Sequence, residues 1–349
     1  MEKIEDANFG IYILTYPGDF HLSTALVESI QYFNPGVPVV IIPGEGFDLA
    51  SHPFKVPVMD VPGGFWGEMG YSDRKFWAFQ GPFNKFLYID ADMICLRNIS
   101  SLISDICACG EDFVFLQSIR DDPDWKTIIA DSDHKLHQGY MVHFQTQIGN
   151  LPILEQFDPD FDPFRSYPIN SGFFASARKA FSEQDFYEHH KKEEKFYNEK
   201  LNKEFSWKDG SVFFLDQGRF NYLIQKKQIT KKHFSRLDRY VWGGTEEYAD
   251  VDAILEKGGK NSFIHWAGVP RPSPSLFCKS PYLALLVAAY PGFKSSYGSL
   301  PEIFGYSLWK HFYGVAKQPL GWNVKEFSKK DFSRIMRHVR RRVAQILFG

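Results

Sequence analysis

The 349-residue chain has no excess of basic residues: 40 Lys and Arg face 42 Asp and Glu, a formal charge of −2. That balance argues against a general nucleic-acid binder, which carries a basic surface. Cysteine is scarce. Four residues, Cys95, Cys107, Cys109 and Cys278, make no disulfide framework in a chain this long. Cys107-x-Cys109 also lacks the two-residue gap and the second pair of a zinc site. Reduced, buried thiols in a cytosolic protein are therefore expected. Long apolar runs are missing too. The longest uncharged apolar stretch, residues 280–293, is shorter than the ~20 residues a bilayer span needs, and it carries Pro281 and Pro291. The opening MEKIEDANFG has no apolar segment of the kind a secretory signal requires. No repeat recurs at solenoid periods, and no low-complexity linker separates two cores.

Core material is abundant: 34 Phe, 17 Tyr and 8 Trp exclude disorder as the main state. Charge is unevenly placed. Residues 323–349 hold eight Lys and Arg against two acids, a net of +6, which leaves −8 for the rest. The β-branched and aromatic run 9–15 reads as a buried strand. Leu22, Ala25, Leu26, Ile30 and Phe33 then recur at helical spacing, with Asp19 or Ser23 able to cap, until Asn34-Pro35-Gly36 stops the helix. A strand over 37–42, a helix around 72–80 and a strand over 85–89 follow. Runs 113–116 and 172–175 extend the set. The pattern predicts an α/β fold with a mainly parallel sheet. The charged, helical tract 181–209 reads as a solvated excursion.

Ligands on such sheets bind beyond the carboxyl ends of the strands, and four motifs sit at those ends. Tyr88-Ile89-Asp90-Ala91-Asp92 runs an apolar strand into two acids, which strand geometry would place on one side. Two carboxylates that close repel unless a cation joins them, and Mn²⁺ or Mg²⁺ suits oxygen donors; two exposed acids at a strand exit are the bland alternative. Asn170-Ser171-Gly172 sets an amide and a hydroxyl before an aromatic run, with a glycine that permits close backbone approach. Asp216-Gln217, with Asn221 beyond, follows another apolar run, where Asp216 could equally be an N-cap. His265, after Phe263-Ile264, could complete a metal site or be a core histidine. Arg271, six residues on, has the planar fork that binds phosphate.

In order and spacing these motifs resemble the GT-A glycosyltransferases, most closely the family-8-like retaining group, over about residues 9–272. The resemblance implies a GT-A (Rossmann-like) nucleotide-diphospho-sugar transferase fold, with a catalytic domain over 1–275 and a C-terminal helical extension over 276–349. It implies that Thr15 and Tyr16 line the base and ribose pocket and that Arg74 or Lys75 contacts the nucleotide sugar. Asp90, Asp92 and His265 would hold Mn²⁺ or Mg²⁺. Gly268 and Arg271 would meet the phosphates, and Asn170, Asp216 and Gln217 the donor sugar. The expected partners are a nucleotide-sugar donor, UDP-linked in this reading, and a saccharide or glycolipid acceptor. Gly218 stands where the family usually has an acid, which removes an expected sugar-binding group. A sugar-nucleotide nucleotidylyltransferase is the rival enzyme, but it would need a Gly-rich basic loop after the first strand, and Tyr16-Pro17-Gly18-Asp19 supplies none. A non-catalytic binding protein on the same fold is the third reading. In the tail, Phe332, Ile335, Met336, Val339, Val343 and Ile346 form one helical stripe, with arginines largely on other faces. Such a helix either lies on an anionic membrane, placing the chain on the membrane's inner face, or docks on the acidic body.

Overall fold

The structure is a computed structural model. It describes residues 8–95 apart from 51 and 53, together with 97–110, 112–115, 124–166, 168–229, 240–242 and 262–265. The 275/276 boundary and the basic tail lie outside these residues.

In chain order the elements are β1 (Phe9–Thr15), α1 (Phe20–Phe33), β2 (Val39–Pro43), α2 (Gly64–Glu68), a 3₁₀ segment (Tyr71–Gln80), β3 (Lys85–Asp90), β4 (Met93–Cys95), α3 (Ser100–Ala108), β5 (Phe113–Phe115), α4 (Trp125–Ala130), α5 (His137–Gln147), α6 (Leu151–Phe157), β6 (Phe173–Ala177), α7 (Glu183–Phe196), α8 (Leu215–Lys226), β7 (Tyr240–Trp242) and β8 (Phe263–His265). One sheet has the order β2-β1-β3-β6-β5. β1 is parallel to β2 and β3, while β6 is antiparallel to both β3 and β5. Four strands therefore point one way and β6 alone runs back, so the mainly parallel α/β expectation holds. A second sheet has the order β4-β8-β7.

The described residues group into two compact units. One takes residues up to 20, 36–91 and from 99 through α8; the other takes 21–35, 92–98 and the strands β7 and β8. In the second unit α1 buries Leu22, Ala25, Leu26 and Ile30 of the stripe its spacing predicts, while Phe33 at its end is half-buried. Asn34, just past its end, donates its amide to the Arg97 carbonyl at 3.3 Å.

The core of the first unit is aromatic. Strand alternation turns Tyr12 and Leu14 of β1, Val40 and Ile42 of β2, Phe86 and Tyr88 of β3 and Phe174 of β6 into one cluster. Phe76 and Phe79 of the 3₁₀ segment, Phe181, Phe186 of α7 and Phe220 of α8 cover it. The rings of Phe174 and Phe220 are 4.7 Å apart and those of Phe76 and Phe220 5.0 Å; each such pair adds about 0.5–1.5 kcal/mol beyond area burial.

Three local expectations change. The tract after Phe181 is no solvated excursion: α7 is capped by Ser182 with Asp185, and it buries Phe186, His189, Glu193 and Phe196. Its charge pattern hid one charge that faces inward, Glu193. Asp216 is not an N-cap; Phe214 holds that position without a side-chain bond, and Leu215 enters the helix at φ +47°. A bulky residue there costs about 1–3 kcal/mol and must be held by its surroundings. Among the described cysteines the expected burial holds for Cys95 and Cys109, but Cys107 is exposed.

Candidate active site

β1 and β3 pair in parallel as far as Leu14 and Asp90, so their carboxyl ends lie side by side. Asp90 closes β3. Three other segments meet it: the 3₁₀ segment, the turn before β6 and the start of α8.

Lys75 is the hub. Its Nζ lies 2.6 Å from Asp216 Oδ2 and 3.5 Å from Asp90 Oδ1. It also donates to the Ser171 carbonyl and hydroxyl at 3.4 Å and sits 5.2 Å from the Tyr88 ring centroid. The lysine side chain is 4% exposed, whereas that of Asp90 is 32% exposed. The Ser171 hydroxyl donates to Asp216 Oδ2 and the Tyr88 hydroxyl to Asp90 Oδ1, each at 2.7 Å. Burial disfavours the charge on Lys75, but Asp216 and Asp90 outweigh it and raise its pKa above the ordinary value. Burial likewise opposes the charge on Asp216, yet Lys75 holds its carboxyl below the usual range. Both groups are charged at neutral pH.

The turn before β6 is clamped by α8. The Ser171 N–H donates to Gln217 Oε1 at 2.7 Å, and Gln217 Nε2 donates to the Ile169 carbonyl. Asn221 Oδ1 accepts from the Ile169 N–H at 2.8 Å, and its Nδ2 donates to the Ile169 carbonyl at 3.0 Å. Asn170 Oδ1 accepts from the Gly172 N–H at 2.7 Å. Gln217 thus has both ends of its amide on backbone. It shapes the turn that aims Ser171, which is a different task from holding a sugar hydroxyl.

No family model matches this sequence, and no curated protein does. Among solved structures, the chain is similar to the apo form of WbbM, a bifunctional glycosyltransferase, at 14% identity and a TM-score of 0.49. The match covers 88% of this chain and 53% of that one, so the chain spans about half the length of that protein.

The remaining expected site residues fall into separate places. Thr15 is buried at the end of β1. Tyr16 follows it, and its phenol pKa is raised by burial first and then by the charges of Asp216 and, more weakly, Asp90. Arg74 turns away from the carboxylates: it donates to the Met69 and Pro43 carbonyls at 3.2 and 3.3 Å. Strand geometry does not carry past Asp90, because Ala91 and Asp92 form a turn; the same-side argument for the acid pair fails for that reason. Asp92 belongs to the second unit. There β4 pairs with β8 and Met93 faces His265, so the histidine's backbone lies opposite the residue that follows Asp92. Among the described residues no three His, Cys, Asp or Glu side chains gather as a metal site, and the His265 side chain is not among those described. Gly268 and Arg271 lie outside the described residues.

Two glycines gain a physical reason. A Cβ on Gly172 would lie 2.3 Å from Asp90 Oδ2, and the Asp90 N–H donates to the Gly172 carbonyl at 2.7 Å. The close approach foreseen for this glycine is to the acid itself. Gly172→Ala is expected to displace the Asp90 carboxylate and cut turnover by about tenfold or more, with the circular dichroism spectrum unchanged; wild-type turnover in Gly172→Ala would show that Asp90 can move without consequence. A Cβ on Gly218 would lie 2.0 Å from the Ile148 carbonyl oxygen. An acid at 218 would therefore collide with backbone, so the glycine reflects helix packing and not the loss of a sugar-binding group. Tyr88, Asp73 and Arg219 were not foreseen as parts of the site. Asp73 and Arg219 pair across 146 positions, and the one available signal was an arginine three residues after Asp216 on an otherwise buried helix; Tyr88 meets Asp90 only two residues on, but by a hydroxyl that an apolar strand pattern hides.

Proposed function

We propose that the chain transfers a sugar from a nucleotide diphosphate donor, UDP-linked in this reading, to a saccharide or glycolipid acceptor with retention, as a GT-A glycosyltransferase of the family-8-like kind. The observation that carries this reading is the convergence of Lys75, Asp90, Ser171 and Asp216 at the carboxyl ends of β1 and β3, where open parallel sheets take their ligands. A buried, permanently charged ammonium there suits a leaving diphosphate and the hydroxyls of its sugar.

Asp90, a partly exposed carboxylate at a strand end, suits a hard divalent ion in its chemistry. Asp90, Asp92 and His265 are the residues we assign to Mn²⁺ or Mg²⁺, which when bound would neutralise charge on the departing diphosphate. The chain's own groups do the rest. Tyr88 and Lys75 orient the Asp90 carboxylate. Lys75 places positive charge where the leaving group's charge grows. Asp216 has its Oδ2 engaged by both Lys75 and Ser171, which makes it a poor nucleophile. That supports attack by the acceptor on the face the diphosphate leaves, with the phosphate accepting the acceptor's proton.

A thermal-shift series with nucleoside diphosphates, with and without Mn²⁺, tests the reading. UDP or GDP is expected to raise the melting temperature only when Mn²⁺ is present. A shift produced by nucleoside triphosphates instead would favour nucleotidyl transfer. Asp92→Ala is expected to lose metal-dependent transfer and keep its fold; full transfer by that variant, or by wild type in EDTA, ends the metal assignment.

Among the described residues no helix is long and apolar enough to cross a membrane. Contact of residues 323–349 with an anionic membrane on its inner face remains part of the proposal, tested by liposome co-sedimentation with and without that tail.

A further inference from the structure

We propose that Asp73 and Arg219 are positioning residues that hold the Lys75 segment in register on the helix that carries Asp216. Two crossed ion pairs join these elements. Asp73 on the 3₁₀ segment lies 2.9 Å from Arg219 on α8, and Lys75 on the 3₁₀ segment lies 2.6 Å from Asp216 on α8. The signs alternate on both sides, acid then base against acid then base in reverse partnership. A slip of the segment would set like charges together out of water, which is strongly unfavourable.

Arg219 is built in as a fixed point. Its Nε donates to Glu193 Oε2 at 2.9 Å and its Nη2 to Glu193 Oε1 at 3.2 Å, from α7. It donates further to the carbonyls of Trp207 and Asp209, each at 3.3 Å. The Arg219 side chain is 2% exposed, that of Asp73 3% and that of Glu193 0%. The segment it holds needs a tether. Ten residues of 3₁₀ helix exceed the three or four that usually persist, and the run opens at Tyr71 with φ +53°, a conformation a tyrosine does not choose. Lysine adds a flexible four-carbon stem. Placement of its ammonium between two carboxylates thus depends on where the backbone of residues 73–75 is pinned.

The structural part of this inference stands by itself; its consequence for turnover rests on the glycosyl-transfer reading. The test is lysine acetylation under native conditions, followed by mass spectrometry, on Asp73→Asn and on Arg219→Lys, which keeps a positive charge beside Glu193. Lys75 is expected to label about tenfold faster or more than in wild type once its tether is loosened. Lys192, already half-exposed, should not change, nor should Lys85, which is held by the Ile106 and Cys109 carbonyls. Turnover should fall by about 100-fold with donor KM within a few-fold. Lys75 as protected as in wild type overturns the proposal, and so does equal loss of protection at Lys75 and Lys85, which would mark a merely structural role. Faster labelling of Lys75 in an enzyme that transfers no sugar even as wild type would uphold the positioning and overturn the function.

Discussion

Lys75→Met is expected to destabilise the first unit by about 3–5 kcal/mol near pH 7.5 and to abolish sugar transfer. Removing one partner of a buried pair leaves the other charged and uncompensated, and that cost exceeds what the pair contributed. Here the abandoned group is Asp216, whose side chain is 11% exposed. The pH dependence has a definite sign. In wild type Lys75 holds the Asp216 pKa below its ordinary 3.8, so Asp216 contributes stability above that pH and loses it as pH falls through the lowered value. Without Lys75, burial is opposed by the Ser171 hydroxyl; the folded-state pKa is expected to rise above 3.8, and ionised Asp216 then opposes folding as pH increases. The gap between wild type and variant should therefore be small near pH 3.5 and open steadily toward neutrality. Urea unfolding at both pH values measures it. A second variant separates the causes: in Lys75→Met with Asp216→Asn much of the lost stability should return while transfer does not. A constant gap across pH would mean that the lysine stabilises by its stem and not by its charge.

Phe220→Ala is the second large effect, a loss of about 3–5 kcal/mol. The ring is fully buried and meets those of Phe174, Phe76, Phe181 and Phe79 at 4.7, 5.0, 5.9 and 6.4 Å. Little can collapse into the space, because the neighbours are themselves large rings fixed by the sheet. The position also matters to the site, since Phe220 sits on α8 between Arg219 and Asn221 and anchors the helix that carries Asp216 and Gln217. Chemical unfolding should show the loss, and Phe220→Leu, which keeps most of the volume, should cost about 1.5 kcal/mol or less. A near-neutral Phe220→Ala would show that the aromatic cluster is loosely packed.

Much of the scaffold was legible from local pattern. The run 9–15 became β1 residue for residue, and α1 buried the residues its period marks up to Ile30. Strand ends pointed to Asp90, the Asn170-Ser171-Gly172 turn and Asp216, and these do meet. Period and position sufficed because each feature depends on neighbours within one element. The failures share a cause. Glu193 in a highly charged tract looked solvated, and only its partner Arg219, 26 residues away, makes it a core residue. Gln217 looked like a ligand group until the backbone of residues 169–171 took up its amide. Arg74 and Lys75 are adjacent and alike in charge, so no local rule could say which faces the carboxylates.

The sequence by itself determined the strands of the five-stranded sheet, the aromatic core and which chemical groups stand at the carboxyl ends of that sheet, because hydrophobic period and turn chemistry are local. The tertiary structure alone decided how those charges pair. It put Lys75 between Asp90 and Asp216, gave Gly172 its close contact with Asp90 and closed position 218 to any side chain. Such pairings depend on distances between segments far apart in the chain, and burial, which sets both their strength and their sign, exists only once those segments have met.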